Sequence, residues 1–191
     1  PAMGWNSWNA FGSGNTAALT KIMAEKIVEL GLKELGYQYV VLDDGCYKPE
    51  RVDGALSNEN VKFPEDFRAL SDYVHSLGLK FGMYNDIGTN LCAGAAVGTC
   101  GHEDVDARSY IAWGVDFLKY DFCFHPMTVR PDTLYKRMGL ALANCGRDIL
   151  FSACNWGMHE SEKWMRSVGA HMYRSTGDIF DSYASFTKLA L

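Results

Sequence analysis

Short apolar runs alternate along this chain with longer stretches whose apolar residues return every three or four positions. Several of the short runs end on a polar or charged residue beside a turn, the alternation expected of strands followed by helices. The runs cover residues 3–8; 39–42, ending on Asp43 and Asp44; 80–84, ending on Asn85 and Asp86; 115–120, ending on Asp121; 149–154, ending on Asn155 and Trp156; and 171–174, leading to Asp178. Between them Leu19, Ile22, Met23, Ile27 and Leu30 mark one helix face, and Phe67, Leu70, Val74 and Leu77 a second. The second helix has Pro64 in its first turn and stops at Gly78, the expected order of proline early and glycine late. Leu134, Met138, Ala141 and Cys145 form a third stripe closed by Gly146, and a shorter helix is expected over residues 160–168.

Six βα units at about 32 residues each keep the pace of an eight-fold barrel of about 250 residues. The fold class read from this pattern is α/β, a (β/α)8 TIM barrel of which about the first six βα units are present. A six-stranded doubly wound sheet is the architectural alternative, but the first βα turn lacks the glycine fingerprint of a nucleotide site. No linker, low-complexity tract or second composition zone divides residues 1–191.

Composition adds limits. With 191 residues, 48% of them apolar and 21% charged, the chain can bury a core and carries no signature of disorder. The net charge of −5 comes without any Lys/Arg cluster, so no nucleic acid and no anionic membrane surface is expected as a partner. No apolar run reaches the roughly 20 residues of a membrane span. Residues 1–30 hold no signal sequence, although the chain starts almost inside its first motif and a trimmed signal peptide fits that start. The six cysteines include no C-x-x-C pair, which speaks against a structural zinc site and leaves one or two disulfides open. No metal and no cofactor is expected; His102 with Glu103 reads as a helix start.

In both candidate architectures ligands bind at the carboxyl ends of the strands, where this sequence places Asp43, Asp44, Asp86, Asp121 and Asp178. A capping or loop role competes with a chemical one for Asp86. Lys119 and Asp121 are two apart on one strand and so share a face. The lysine is expected to depress the pKa of Asp121 and keep it charged, as a nucleophile requires. Asp178, two strands further round, is expected to face Asp121 and, through that charge and partial desolvation, to stay protonated as a general acid. Trp5, Trp8, Tyr84 and Trp156 would rim the pocket, though core packing explains any one of the tryptophans taken alone. Two carboxyls in different protonation states are the apparatus of glycoside hydrolysis.

Six segments, in order, then carry a resemblance: MGWNSWNAF at 3–11, YVVLDD at 39–44, YVHSLGLKFGMYND at 73–86, GHEDVDARSYIAWGVDFLKYDFC at 101–123, FSACNWG at 151–157 and RSTGDI at 174–179. Together they make the chain similar to glycoside hydrolase family 27, the α-galactosidases and α-N-acetylgalactosaminidases. The resemblance implies a retaining double displacement on terminal α-linked galactose, with Asp121 as nucleophile and Asp178 as acid/base. It implies that Trp8, Asp43, Asp44, Tyr84, Lys119, Cys154, Trp156 and Arg174 bind the sugar. It also places a disulfide between Cys92 and Cys123, which follow the third and fourth strands, neighbours in a parallel barrel. Such a bond implies an oxidising compartment, whether secreted, periplasmic or lysosome-like. Cys46, Cys100 and Cys145 are expected to be unpaired.

The chain departs from the family in places. Gly45, Cys46 and Tyr47 stand where the family reads CW after the paired aspartates, and Asn155 replaces a frequent glutamate. The resemblance implies that residues 1–191 are the N-terminal part of the catalytic barrel, without the family's last two βα units or its C-terminal β-domain. An α-galactoside is the expected partner, and the oligomeric state is open. The alternatives are a β-L-arabinopyranosidase or α-N-acetylgalactosaminidase of the same family, or an inactive, truncated carbohydrate-binding remnant.

Overall fold

The structure is a computed structural model that describes residues 2–190. Its strands are β1 (Met3–Asn6), β2 (Tyr37–Val41), β3 (Lys80–Asp86), β4 (Phe117–Asp121), β5 (Leu150–Ala153) and β6 (Met172–Tyr173). They form one parallel sheet in sequence order, β1-β2-β3-β4-β5-β6, curled as a half-barrel. The helices are α1 (Trp8–Phe11), α2 (Ala17–Glu29), α3 (Phe67–Ser76), α4 (Glu103–Ala112), α5 (Pro131–Ala143) and α6 (Tyr183–Ala190).

Local chemistry explains where these elements begin. Thr16 caps α2 by accepting from the Leu19 N–H at 3.1 Å, and Asp66 caps α3 by accepting from the Arg68 N–H at 3.2 Å. The second helix therefore starts at Phe67, beyond Pro64, and ends before Gly78 at φ +71°. In α5, Pro131 holds the first position and Leu134, Met138 and Ala141 are buried as the stripe requires. The buried face of α2 differs from expectation: Thr20, Ala24 and Ile27 point in, while Ile22 and Leu30 are exposed. A threonine fits there because its hydroxyl donates to the Thr16 carbonyl and accepts from the Asn15 amide.

Other expectations need correction. The first strand stops at Asn6, whose side-chain oxygen accepts from the Trp8 N–H at 3.0 Å and turns the chain into α1. Residues 160–168 form two 3-10 turns, Ser161–Lys163 and Met165–Val168, not one α-helix. They follow His159 and Glu160, both in left-handed backbone conformation. The last strand keeps only two residues.

The core fills the space between the sheet and its helices. Val40, Phe81, Met83, Leu118, Tyr120 and Phe151 meet Phe67, Val74, Tyr110 and Met138, all buried. The opposite face of the strands carries Tyr84 in register with Lys119, and Asp86 with Asp121.

Candidate active site

The carboxyl ends of β2, β3 and β4 bring four buried aspartates together: Asp43, Asp44, Asp86 and Asp121. Asp43 Oδ2 accepts from Lys119 Nζ and from Asn6 Nδ2, each at 2.7 Å. The Asp43 N–H donates to the Ser7 hydroxyl, so the turn after β1 fixes the backbone of the paired aspartates. Asp44 Oδ2 accepts from the Ala93 N–H at 2.7 Å, while its Oδ1 is buried with no partner among the described residues. Burial raises the Asp44 pKa against the pull of two backbone N–H groups.

Asp121, the last residue of β4, receives three hydrogen bonds. Its Oδ1 accepts from Trp156 Nε1 and from the Phe122 N–H, both at 3.0 Å, and its Oδ2 from the Tyr84 hydroxyl at 3.1 Å. The expected depression of its pKa is overturned. Burial raises it and outweighs Lys119, whose ammonium is hydrogen-bonded to Asp43 instead.

Asp86 serves the loop that follows β3. Its Oδ1 accepts from the Gly88 N–H at 2.7 Å and its Oδ2 from the Cys123 N–H at 2.8 Å. Burial pushes its pKa up to about 8 despite those two donors, with Asp121 and Asp44 adding to the rise. Beside it, Cys92 and Cys123 form the disulfide, Cα atoms 5.2 Å apart. At Gly88 a side chain would run into the Cys123 carbonyl, which is why the linked loops can pack so closely. The sulfurs lie near Asp86 and Asp121 in a metal-like grouping, but each is already bonded to the other. Cys46, Cys100, Cys145 and Cys154 are free.

The remaining expected residues surround this group unequally. Tyr84 is buried, and Lys119 Nζ stands 5.2 Å from its ring centroid. Trp8 is 39% exposed on α1. Cys154 is buried after β5, and its sulfur accepts from Arg174 Nη1 at 3.6 Å. Asp178 stands outside the buried group: its side chain is 68% exposed and pairs with Arg174 at 2.5 Å, so the partial desolvation expected of it is not found. Tyr47 packs in the core against Phe67 and Trp113 and donates to the Tyr84 carbonyl at 2.9 Å. Asn155 is buried, with Nδ2 donating to the Met158 carbonyl at 2.6 Å. Asn6 and Phe122 are contributors that the pattern of runs did not single out. Asn6 could have been found from its place two residues before Trp8 in the first motif.

A cavity of about 750 Å³ lies elsewhere, at the amino-terminal ends of the strands, lined by Tyr39, Lys80, Asp116 and Arg147 among others. It holds none of the four clustered aspartates, and active sites of parallel α/β sheets form at the other end.

A family model described as alpha galactosidase A matches residues 1–190. The alpha-galactosidase of Coffea arabica is 44% identical over all of this chain, which covers 50% of that protein. Alpha-galactosidase I of Mortierella vinacea superposes with a TM-score of 0.91 at 39% identity, over 96% of this chain and 47% of its own. A family 27 β-L-arabinopyranosidase from Geobacillus stearothermophilus does so at 0.82 and 26%, over 96% of this chain and 55% of its own. The chain spans about half the length of the curated relatives it matches.

Proposed function

This chain belongs to the alpha galactosidase A family, and we propose on that footing that it carries the nucleophile of a retaining glycosidase releasing terminal α-linked galactose from oligosaccharides or glycoconjugates. Residues 1–191 are read as the N-terminal part of the catalytic barrel. The observation that carries the reading is Asp121, buried at the end of β4 and held by three hydrogen-bond donors. Oδ1 takes two of them and Oδ2 one, so Oδ2 keeps a lone pair for attack.

In this reading Asp121 Oδ2 attacks the anomeric carbon as the bond to the leaving oxygen breaks, and Asp178 gives that oxygen its proton. Water then attacks the glycosyl-enzyme, Asp178 takes a proton back, and the sugar leaves with its configuration retained. Arg174 bonds both Asp178 and the Cys154 sulfur, which ties the acid/base candidate to the end of β5. Trp8, Asp43, Asp44, Tyr84, Lys119, Cys154, Trp156 and Arg174 would bind the terminal sugar. The unpartnered Asp44 Oδ1 supports this, because a buried carboxylate oxygen without a donor is costly and a sugar hydroxyl would supply one. The disulfide is suited to an oxidising setting, which supports a secreted, periplasmic or lysosome-like location. Among the described residues no helix is long and apolar enough to cross a membrane.

The test uses the chain with whatever flanking sequence its gene encodes, assayed on nitrophenyl α-galactoside and nitrophenyl β-L-arabinopyranoside. Faster turnover of the galactoside, lost in Asp121→Asn, is the expected result. Preference for the arabinopyranoside would make it a β-L-arabinopyranosidase, and turnover of neither would leave the α-N-acetylgalactosaminidase and carbohydrate-binding readings.

A further inference from the structure

Beside the site, one side chain joins the two loops that flank Asp121 without reaching the carboxylate through its ring. Phe122 is buried and its ring has three aromatic partners. His125 stacks on it at 4.3 Å and 22°; Trp156 meets it edge-on at 5.5 Å and 85°; His159 lies at 5.6 Å and 69°. His125 belongs to the loop after β4, Trp156 and His159 to the loop after β5. Three residues here hold left-handed backbone that non-glycine residues seldom adopt: Phe124 at φ +44°, Trp156 at +59° and His159 at +58°. Such conformations persist only where the surroundings hold them, and they gather at functional sites.

We propose that Phe122 is a positioning residue. Its ring, packed against His125 and His159, sets the Trp156 indole so that Nε1 donates to Asp121 Oδ1. The inference rests on the reading of Asp121 as nucleophile. The Phe122 backbone N–H also donates to Asp121 Oδ1, and a side-chain substitution leaves that bond in place, so the ring can be tested alone.

A hydrogen bond donated to a carboxylate favours its charged form. The other groups facing Asp121 are Lys119 from its own strand, Tyr84 and Asp86 from β3, Asp44 from the turn after β2, and Cys154 from the end of β5. None of them bonds the Phe122 ring. Loosening Trp156 therefore removes one support of ionised Asp121 and leaves the rest, which raises its pKa and moves the acid limb of the activity profile to higher pH.

The experiment compares wild type, Phe122→Ala and Phe122→Tyr in the protein with its encoded flanking sequence. The Trp156 indole N–H is followed by nitrogen-15 NMR and hydrogen exchange, with Trp156→Phe assigning the signal. In Phe122→Ala the indole signal should move and lose protection. The acid limb should rise by about half a pH unit and kcat fall by roughly tenfold, with KM changing less. Phe122→Tyr, which keeps the ring, should restore the profile. An unmoved indole signal and acid limb, with only a lower Tm, would overturn the proposal and leave Phe122 as ordinary packing. The indole readout needs no turnover, so it decides the matter even if the protein hydrolyses neither glycoside.

Discussion

The ammonium of Lys119 faces two carboxylates and is hydrogen-bonded to one, Asp43 at 2.7 Å. Its side chain is 21% exposed and that of Asp43 3%, so the pair is largely desolvated and breaking it strands a buried charge. Lys119→Met should cost about 3 kcal/mol of stability, read by chemical denaturation; a loss below ~1 kcal/mol would show that water replaces the ammonium. The same variant should move the acid limb of activity to higher pH, since Lys119 is the largest influence holding the Asp121 pKa down. Asp86 allows a test that needs no substrate. Its folded pKa of about 8 lies above the ordinary 3.8, so between those values the folded chain retains a proton that the unfolded chain sheds. The stability that Asp86 confers is thus fully present at low pH and is lost as pH rises toward 8. Carboxyl-carbon NMR should find its midpoint near 8, and a midpoint in the ordinary carboxylate range would show that the Gly88 and Cys123 N–H groups outweigh burial.

At the scale of elements, the disulfide closes a loop of 31 residues that runs from beyond β3, through α4, to the end of β4. Loop closure of that length contributes about 3–4 kcal/mol. The double variant Cys92→Ser, Cys123→Ser should lose that much stability, and its α4 amides should exchange faster; unchanged exchange would mean that packing alone holds α4. The same segment shows what was legible in the chain and what was not. Strands β2, β3 and β4 announced themselves because their apolar runs stop on or just before the charged residues Asp43, Asp86 and Asp121. Helix α4 has no apolar stripe because Asp106 lies on its buried face, and the partner that makes this tolerable, Arg51 at 2.7 Å, is 55 residues away in sequence. The end of β1 was missed because a side-chain bond from Asn6 outweighs the apolar character of Trp8. The sign of the Asp121 shift was missed because spacing puts Lys119 on the right face but does not show how deeply the carboxyl is buried, and burial outweighs the lysine.

Across the whole molecule, β1 pairs with β2 and β6 with β5, and among the described residues neither has a partner on its other side. Ile179, Phe180, Tyr183 and Phe186 are exposed around the start of α6. Unpaired edges and exposed apolar groups promote association. The 191-residue chain expressed alone should therefore self-associate, as seen by sedimentation or light scattering; a soluble monomer with one cooperative thermal transition would contradict this. On the proposed reading this half-barrel carries the covalent step, with Asp121 as the attacking group; Asp178 lies outside the buried cluster. The most direct test is to trap the glycosyl-enzyme with a 2-deoxy-2-fluoro galactosyl donor bearing a good leaving group. The chain, with its encoded flanking sequence, is then digested and the modified residue located by mass spectrometry. The account predicts a single sugar esterified to Asp121. A sugar on any other carboxylate, or turnover with inverted configuration and no adduct, would contradict it.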